Sequence, residues 1–143
     1  MTDAVRFRGL YSSLSPHWRT PSGVYAELDR EFEFDFDPCP PKADFDGLMV
    51  EWGDRNFVNP PYGRGRTLEL WLAKGRREQL VGHLSVFLVP SRTDTKWWHE
   101  YAMHADEVRF VRGRLQFYGA GPRNDRGPGT QAPFPSAILV FRP

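Results

Sequence analysis

The stretch HLSVFLVP, residues 83 to 90, is the most continuous apolar run in the chain and the feature that most limits its fold. A strand that is apolar on both faces needs cover on both, which is the mark of a central strand sandwiched between helices. The flanking segments supply that cover. SGVYAELDREF places Val24, Leu28 and Phe32 at helical spacing with Ser22 as N-cap, predicting a helix over about 23 to 32. Residues 66 to 79 carry an apolar stripe of Leu68, Trp71 and Leu72, and Thr93 or Thr95 is placed to cap a helix through KWWHEYAM. FEFDFD alternates Phe with acid as a half-buried strand does, RNFV is a second strand running into Asn59, and EVRFV, LQFY and SAILVF close the chain as strands. Strand and helix alternate through the first two thirds. That order predicts an α/β domain with a mostly parallel sheet and a C-terminal antiparallel hairpin.

At 143 residues the chain has the length of one domain, residues 1 to 143, with no repeat and no separate recognition domain. Residues 119 to 133 show no periodicity and hold seven Gly or Pro, so 119 to 131 is expected to be a mobile loop. No apolar run has signal-peptide or membrane-spanning length, which predicts a cytoplasmic protein with no membrane partner. One Cys excludes an internal disulfide, and the four His show no metal-ligand spacing.

The net charge of +1 conceals a polarity. Residues 1 to 54 carry eleven acids against five Lys or Arg, and residues 55 to 143 carry fourteen Lys or Arg against seven acids. From Arg109 to Pro143 six arginines meet one acid, Asp125, and are interleaved with Phe110, Phe117, Tyr118 and Phe134. Charge runs are usually solvated faces, but this mixture also suits phosphates and bases.

Ligands of open parallel sheets collect beyond the carboxyl ends of the strands, where three polar clusters are expected: Asp37-Pro38-Cys39, Asn59-Pro60-Pro61-Tyr62 and Ser91-Arg92-Thr93-Asp94. The second suits methylation of a planar, conjugated amine. Such a nitrogen is a poor nucleophile because its lone pair is delocalised, and no ordinary base deprotonates it. The Asn59 side-chain oxygen and the Pro60 carbonyl can each accept one N–H, pulling the amine towards tetrahedral geometry and stabilising the positive charge that develops. Two prolines fix the carbonyls, and Tyr62 can stack on a base swung out of a duplex.

That tetrad, with WRTP (18 to 21), FDFDPC (34 to 39), DGLMVEW (46 to 52), VPSRTDTKWWHEY (89 to 101), RFVRGRLQF (109 to 117) and APFPSAILVF (132 to 141), resembles the phage-type, Dam-like DNA N6-adenine methyltransferase family from about residue 18 to the C-terminus. The resemblance implies a compact Rossmann-like fold that uses S-adenosylmethionine and acts on DNA in a bacterial host, encoded by a phage or prophage. It implies that Asn59, Pro60, Pro61 and Tyr62 form the catalytic motif. Thr20 and Pro21 look like the family's TP block at the methionine end of the cofactor. Asp37, beside Pro38 and Cys39, resembles the acid that meets the cofactor's amino group or ribose, and Asp46 is a further contact. PCPPKAD stands where many methyltransferases carry a glycine-rich turn. Arg92, Arg112 and Arg114, with Arg123 and Arg126 of the 119 to 131 loop, are the candidates for holding DNA. No metal is needed.

Of adjacent Trp97 and Trp98 only one can face the core, His99 and His104 suit a solvated helix surface, His83 merely precedes a strand, and Asp94 suits support of a helix N-terminus. The alternatives are another planar amine, such as cytosine N4, an RNA base or a protein glutamine, and a methyltransferase-like domain that binds nucleic acid without catalysis.

Overall fold

The computed structural model describes residues 19–63, 66–117 and 132–143. Helix α1 (Ser22–Phe32) buries Leu28 and Phe32, the inward positions of its helical repeat. It starts after Pro21, whose carbonyl accepts the Tyr25 N–H at 3.1 Å. Ser22 is therefore a helical residue and not the expected N-cap. A proline at φ −59° is already set for a helix start, where its missing N–H leaves no hydrogen bond broken. Glu33, at φ 53°, stops the helix in the left-handed region and donates its N–H to the Asp29 carbonyl at 2.8 Å.

Strands β1 (Arg55–Val58) and β2 (Leu84–Pro90) pair in parallel and are joined by α2 (Thr67–Leu80). After β2, Thr95 caps α3 (Lys96–Glu100) by accepting the Trp98 N–H, and a 3-10 turn over Ala102–His104 follows. The helix expected through KWWHEYAM is thus broken at Tyr101. Strands β3 (Glu107–Phe110) and β4 (Ser136–Phe141) complete a sheet of order β1-β2-β4-β3.

The expected mostly parallel sheet is corrected here, since two of the three ladders are antiparallel. The cause is one strand: β4 inserts between β2 and β3 and runs against both, while β1, β2 and β3 share a direction. The C-terminal antiparallel pair is present as β3 and β4. FEFDFD, expected as a strand, contributes a single parallel bridge from Phe36 to Asn56, because Pro38 follows with no N–H to extend a ladder. LQFY forms no strand among the described residues, and its Phe117 is a buried packing residue.

Side-chain alternation splits the core into two layers. Val58, Phe87, Val89, Ala137, Leu139 and Phe141 pack with Leu68, Trp71 and Leu72 of α2 and Trp98 of α3. Phe57, Val86, Leu88, Ile138 and Val140 point the other way, onto Leu28 and Phe32 of α1 with Phe117 and Phe134. Strand β2 is covered on both faces, as its composition requires. Arg109 pins α1 to the β3 edge through a bidentate pair to Glu31 at 2.8 and 2.7 Å and a bond to Glu107 at 2.6 Å, while Arg142 meets Glu107 at 2.9 Å. Those hydrogen bonds hold the Glu107 carboxyl down to about 2.

Candidate active site

The shared direction of β1, β2 and β3 brings their carboxyl ends to one edge of the sheet, and β4 begins at that edge. Asn59 follows β1 directly, and Asp37 follows the Phe36 bridge at the neighbouring position. Pro60 is buried, whereas Asn59, Pro61 and Tyr62 are half-buried. The prolines carry the chain away from the ladder so that Tyr62 folds back over β2.

Asn59 Nδ2 donates to Thr20 Oγ1 at 3.0 Å. The Tyr62 hydroxyl lies 2.8 Å from Asn59 Oδ1 and 2.8 Å from the Leu88 carbonyl oxygen. Thr20 and the tetrad, 39 residues apart in sequence, are thereby drawn together. The Tyr62 ring meets Phe134 and Phe117 edge to face, with centroids 5.6 and 6.4 Å away. Burial pushes the Tyr62 phenol well above its ordinary value, so it is a neutral donor at any physiological pH.

Asp37 Oδ1 accepts the Cys39 N–H at 2.8 Å, and Oδ2 meets no partner among the described residues. Burial raises the Asp37 carboxyl from 3.8 to about 6, against the lowering effect of that one hydrogen bond. Cys39 packs against the α2 side of the core, and burial pushes its thiol far up, so it is a neutral wall. Asp46 is exposed and accepts the Leu48 N–H at 2.9 Å, folding an Asx turn. Behind it, the Cα of buried Gly47 lies so close to the Pro38 carbonyl that no Cβ fits, and the Trp52 indole donates to the Gly47 carbonyl at 2.8 Å. A single glycine thus packs the turn that PCPPKAD begins.

Arg92 is exposed beyond β2, its guanidinium 5.5 Å over the Phe134 ring. Arg112 and Arg114 are exposed beyond β3, at the same edge of the sheet, with one Arg114 nitrogen 3.4 Å from the Ala132 carbonyl. Arg123, Arg126 and the 119 to 131 loop lie outside the described residues. Trp98 is buried and Trp97 half-buried. His99 lies 2.8 Å from the Thr93 carbonyl, and His83 lies 2.6 Å from Glu78, so both serve local structure. Among the described residues no group of His, Cys, Asp or Glu is arranged to hold a metal ion, and no helix is long and apolar enough to cross a membrane.

Sequence reading missed Phe117 and Phe134 as the walls against Tyr62, although each sits in a quoted block; an aromatic between prolines, as in PFP, was the available signal. It also missed Asn56, which is fully buried and joins Gly53 to the Leu84 carbonyl. A polar residue at an inward strand position was the clue there.

The site belongs to an α/β domain that presents an amide, a rigid carbonyl and a desolvated carboxylate at one sheet edge. The model of the DNA N-6-adenine-methyltransferase (Dam) family matches residues 10–143, and the chain belongs to that family. Membership makes it a DNA adenine methyltransferase at the level of the family. No curated protein and no solved structure matches the chain.

Proposed function

We propose that the chain transfers a methyl group from S-adenosylmethionine to the N6 amine of adenine in DNA, on a Rossmann-like domain. The observation that carries the reading is the setting of Asn59 at the end of β1, oriented by Thr20 and Tyr62 and followed by buried Pro60, in a chain of the Dam family.

The residues present suit the methyl donor. Asp37 offers a half-buried carboxylate oxygen of the kind that an ammonium or a ribose diol needs, and Thr20 and Pro21 stand beside Asn59. Asp46 is a weaker candidate because one of its oxygens already holds Leu48. The bound cofactor supplies an electrophilic methyl on a sulfonium. Asn59 Oδ1 and the Pro60 carbonyl accept the two N–H groups of the amine, fix its lone pair in line with that methyl and stabilise the charge that develops on nitrogen. The proton then leaves to water. Tyr62 and the arginines at the same edge, Arg92, Arg112 and Arg114, serve the base and the phosphates.

The test is transfer from labelled S-adenosylmethionine to unmethylated duplex DNA, with the labelled nucleoside identified after digestion. Label in N6-methyladenosine is expected, and Asn59→Ala is expected to lose two or more orders of magnitude while still binding cofactor. Label in a cytosine product would move the reading to another base. Transfer to RNA or protein amides alone would overturn DNA as the substrate, and DNA binding without cofactor binding would favour a non-catalytic domain.

A further inference from the structure

The Tyr62 hydroxyl has one proton and stands 2.8 Å from two oxygens that can only accept, Asn59 Oδ1 and the Leu88 carbonyl. Both contacts are of full hydrogen-bond length, yet one proton makes one good bond at a time. The acceptors differ in kind. The Leu88 carbonyl is backbone in a buried strand, fixed by the sheet, whereas the Asn59 carboxamide is the group expected to meet the substrate amine.

We infer that the Tyr62 phenol fixes the Asn59 carboxamide oxygen for the substrate's N–H. Without a base in the site, Tyr62 donates to Asn59 Oδ1. When the amine arrives, its N–H takes the second lone pair of the Asn59 oxygen while the phenol stays on the first. The carboxamide is held throughout by its other end, where Nδ2 donates to Thr20 Oγ1. An asparagine needs such a clamp because its two ends differ: reversed, it would present a donor to a donor. Desolvation keeps the phenol protonated, so it never competes as an anion. Tyr62 and Thr20 are positioning residues that act through Asn59. The inference rests on the methyl-transfer reading and assigns the phenol oxygen a part that ring stacking alone does not need.

Tyr62→Phe keeps the ring and its packing on Phe117 and Phe134 and removes only the hydroxyl. The expected result is a fall in kcat of at least tenfold, with KM for DNA and for S-adenosylmethionine within about twofold of the parent. Thr20→Val is expected to lower kcat in the same way with KM for DNA within about twofold, and Thr20→Ser to restore most of kcat. A Tyr62→Phe enzyme with the parent's kcat would overturn the inference, as would a loss confined to KM for DNA, which is the mark of stacking. A readout independent of turnover covers variants that fold poorly and a parent that transfers nothing. In nitrogen-15 labelled protein the Asn59 side-chain amide protons are expected to exchange slowly in the parent and faster in Thr20→Val and Tyr62→Phe, with recovery in Thr20→Ser. Unchanged Asn59 signals across the series would refute the clamp whatever the substrate proves to be. A parent with slow Asn59 exchange and no methyl transfer would refute the function and leave the clamp standing.

Discussion

At the scale of the residue, the buried carboxyl of Asp37 ties ionisation to stability most directly. Its carboxyl is raised to about 6 by burial, so the folded protein binds its proton more tightly than the unfolded chain does. Folding therefore bears no penalty from Asp37 below about pH 4, and a penalty grows as pH rises through 6, where the buried group must ionise. Asp37→Asn removes that penalty. At pH 7.5 the variant is expected to be more stable than the parent by on the order of 2 kcal/mol in urea unfolding, with the difference closing at pH 4. A variant that is less stable at both pH values would show that Asp37 is satisfied by its surroundings. Cofactor binding should respond in the opposite direction: calorimetry is expected to find S-adenosylmethionine bound much more weakly by Asp37→Asn, because an amide cannot pair with an ammonium. Residue-scale features were legible unevenly. Asp37 and Asn59 are polar groups at strand ends, a position that sequence can mark. The link from Tyr62 to the Leu88 carbonyl was not legible, because a backbone acceptor carries no sequence signature.

Elements show where local pattern suffices and where it fails. The apolar stripes at residues 68, 71 and 72 and through 84 to 90 set α2 and β2, because each period determines which face is buried. Sheet order is not local. Nothing in SAILVF states that it will pair with β2 on one side and β3 on the other, so one antiparallel ladder was expected at the end of the chain and the second, to β2, was not. The α2–β2 contact itself depends on Gly75, since a Cβ there would stand 2.6 Å from the Phe87 ring. Alanine would favour the helix by about 1 kcal/mol. Phe87 is fully buried, with the Trp52 and Phe141 rings at 6.2 and 5.7 Å, and has nowhere to retreat. Overpacking costs about 1–3 kcal/mol. The larger effect should win, so Gly75→Ala is expected to lower the urea midpoint with an unchanged slope; a raised midpoint would mean that the two layers part easily.

Across the whole molecule, the charge polarity of the sequence takes on a more specific form. Of the six arginines after residue 108, Arg109 and Arg142 are held by Glu31 and Glu107 at the β3 edge, which removes them from any phosphate surface. Arg112 and Arg114 are exposed beyond β3, and Arg92 is exposed beyond β2, all at the edge that carries Asn59. Composition therefore overstated the number of available cations and the fold chooses among them. If these arginines hold a duplex while its adenine is turned towards Asn59, each neutralised phosphate releases counterions, and the logarithm of affinity falls with the logarithm of salt by about 0.9 per contact. Replacing Arg112 and Arg114 together by alanine is expected to reduce that slope by about 1.8 and to weaken binding evenly across DNA sequences, with cofactor affinity unaltered. The same slope in parent and variant would place the duplex on another face. A smaller slope with kcat retained at saturating DNA would separate the surface that holds the substrate from the carbonyls that act on it.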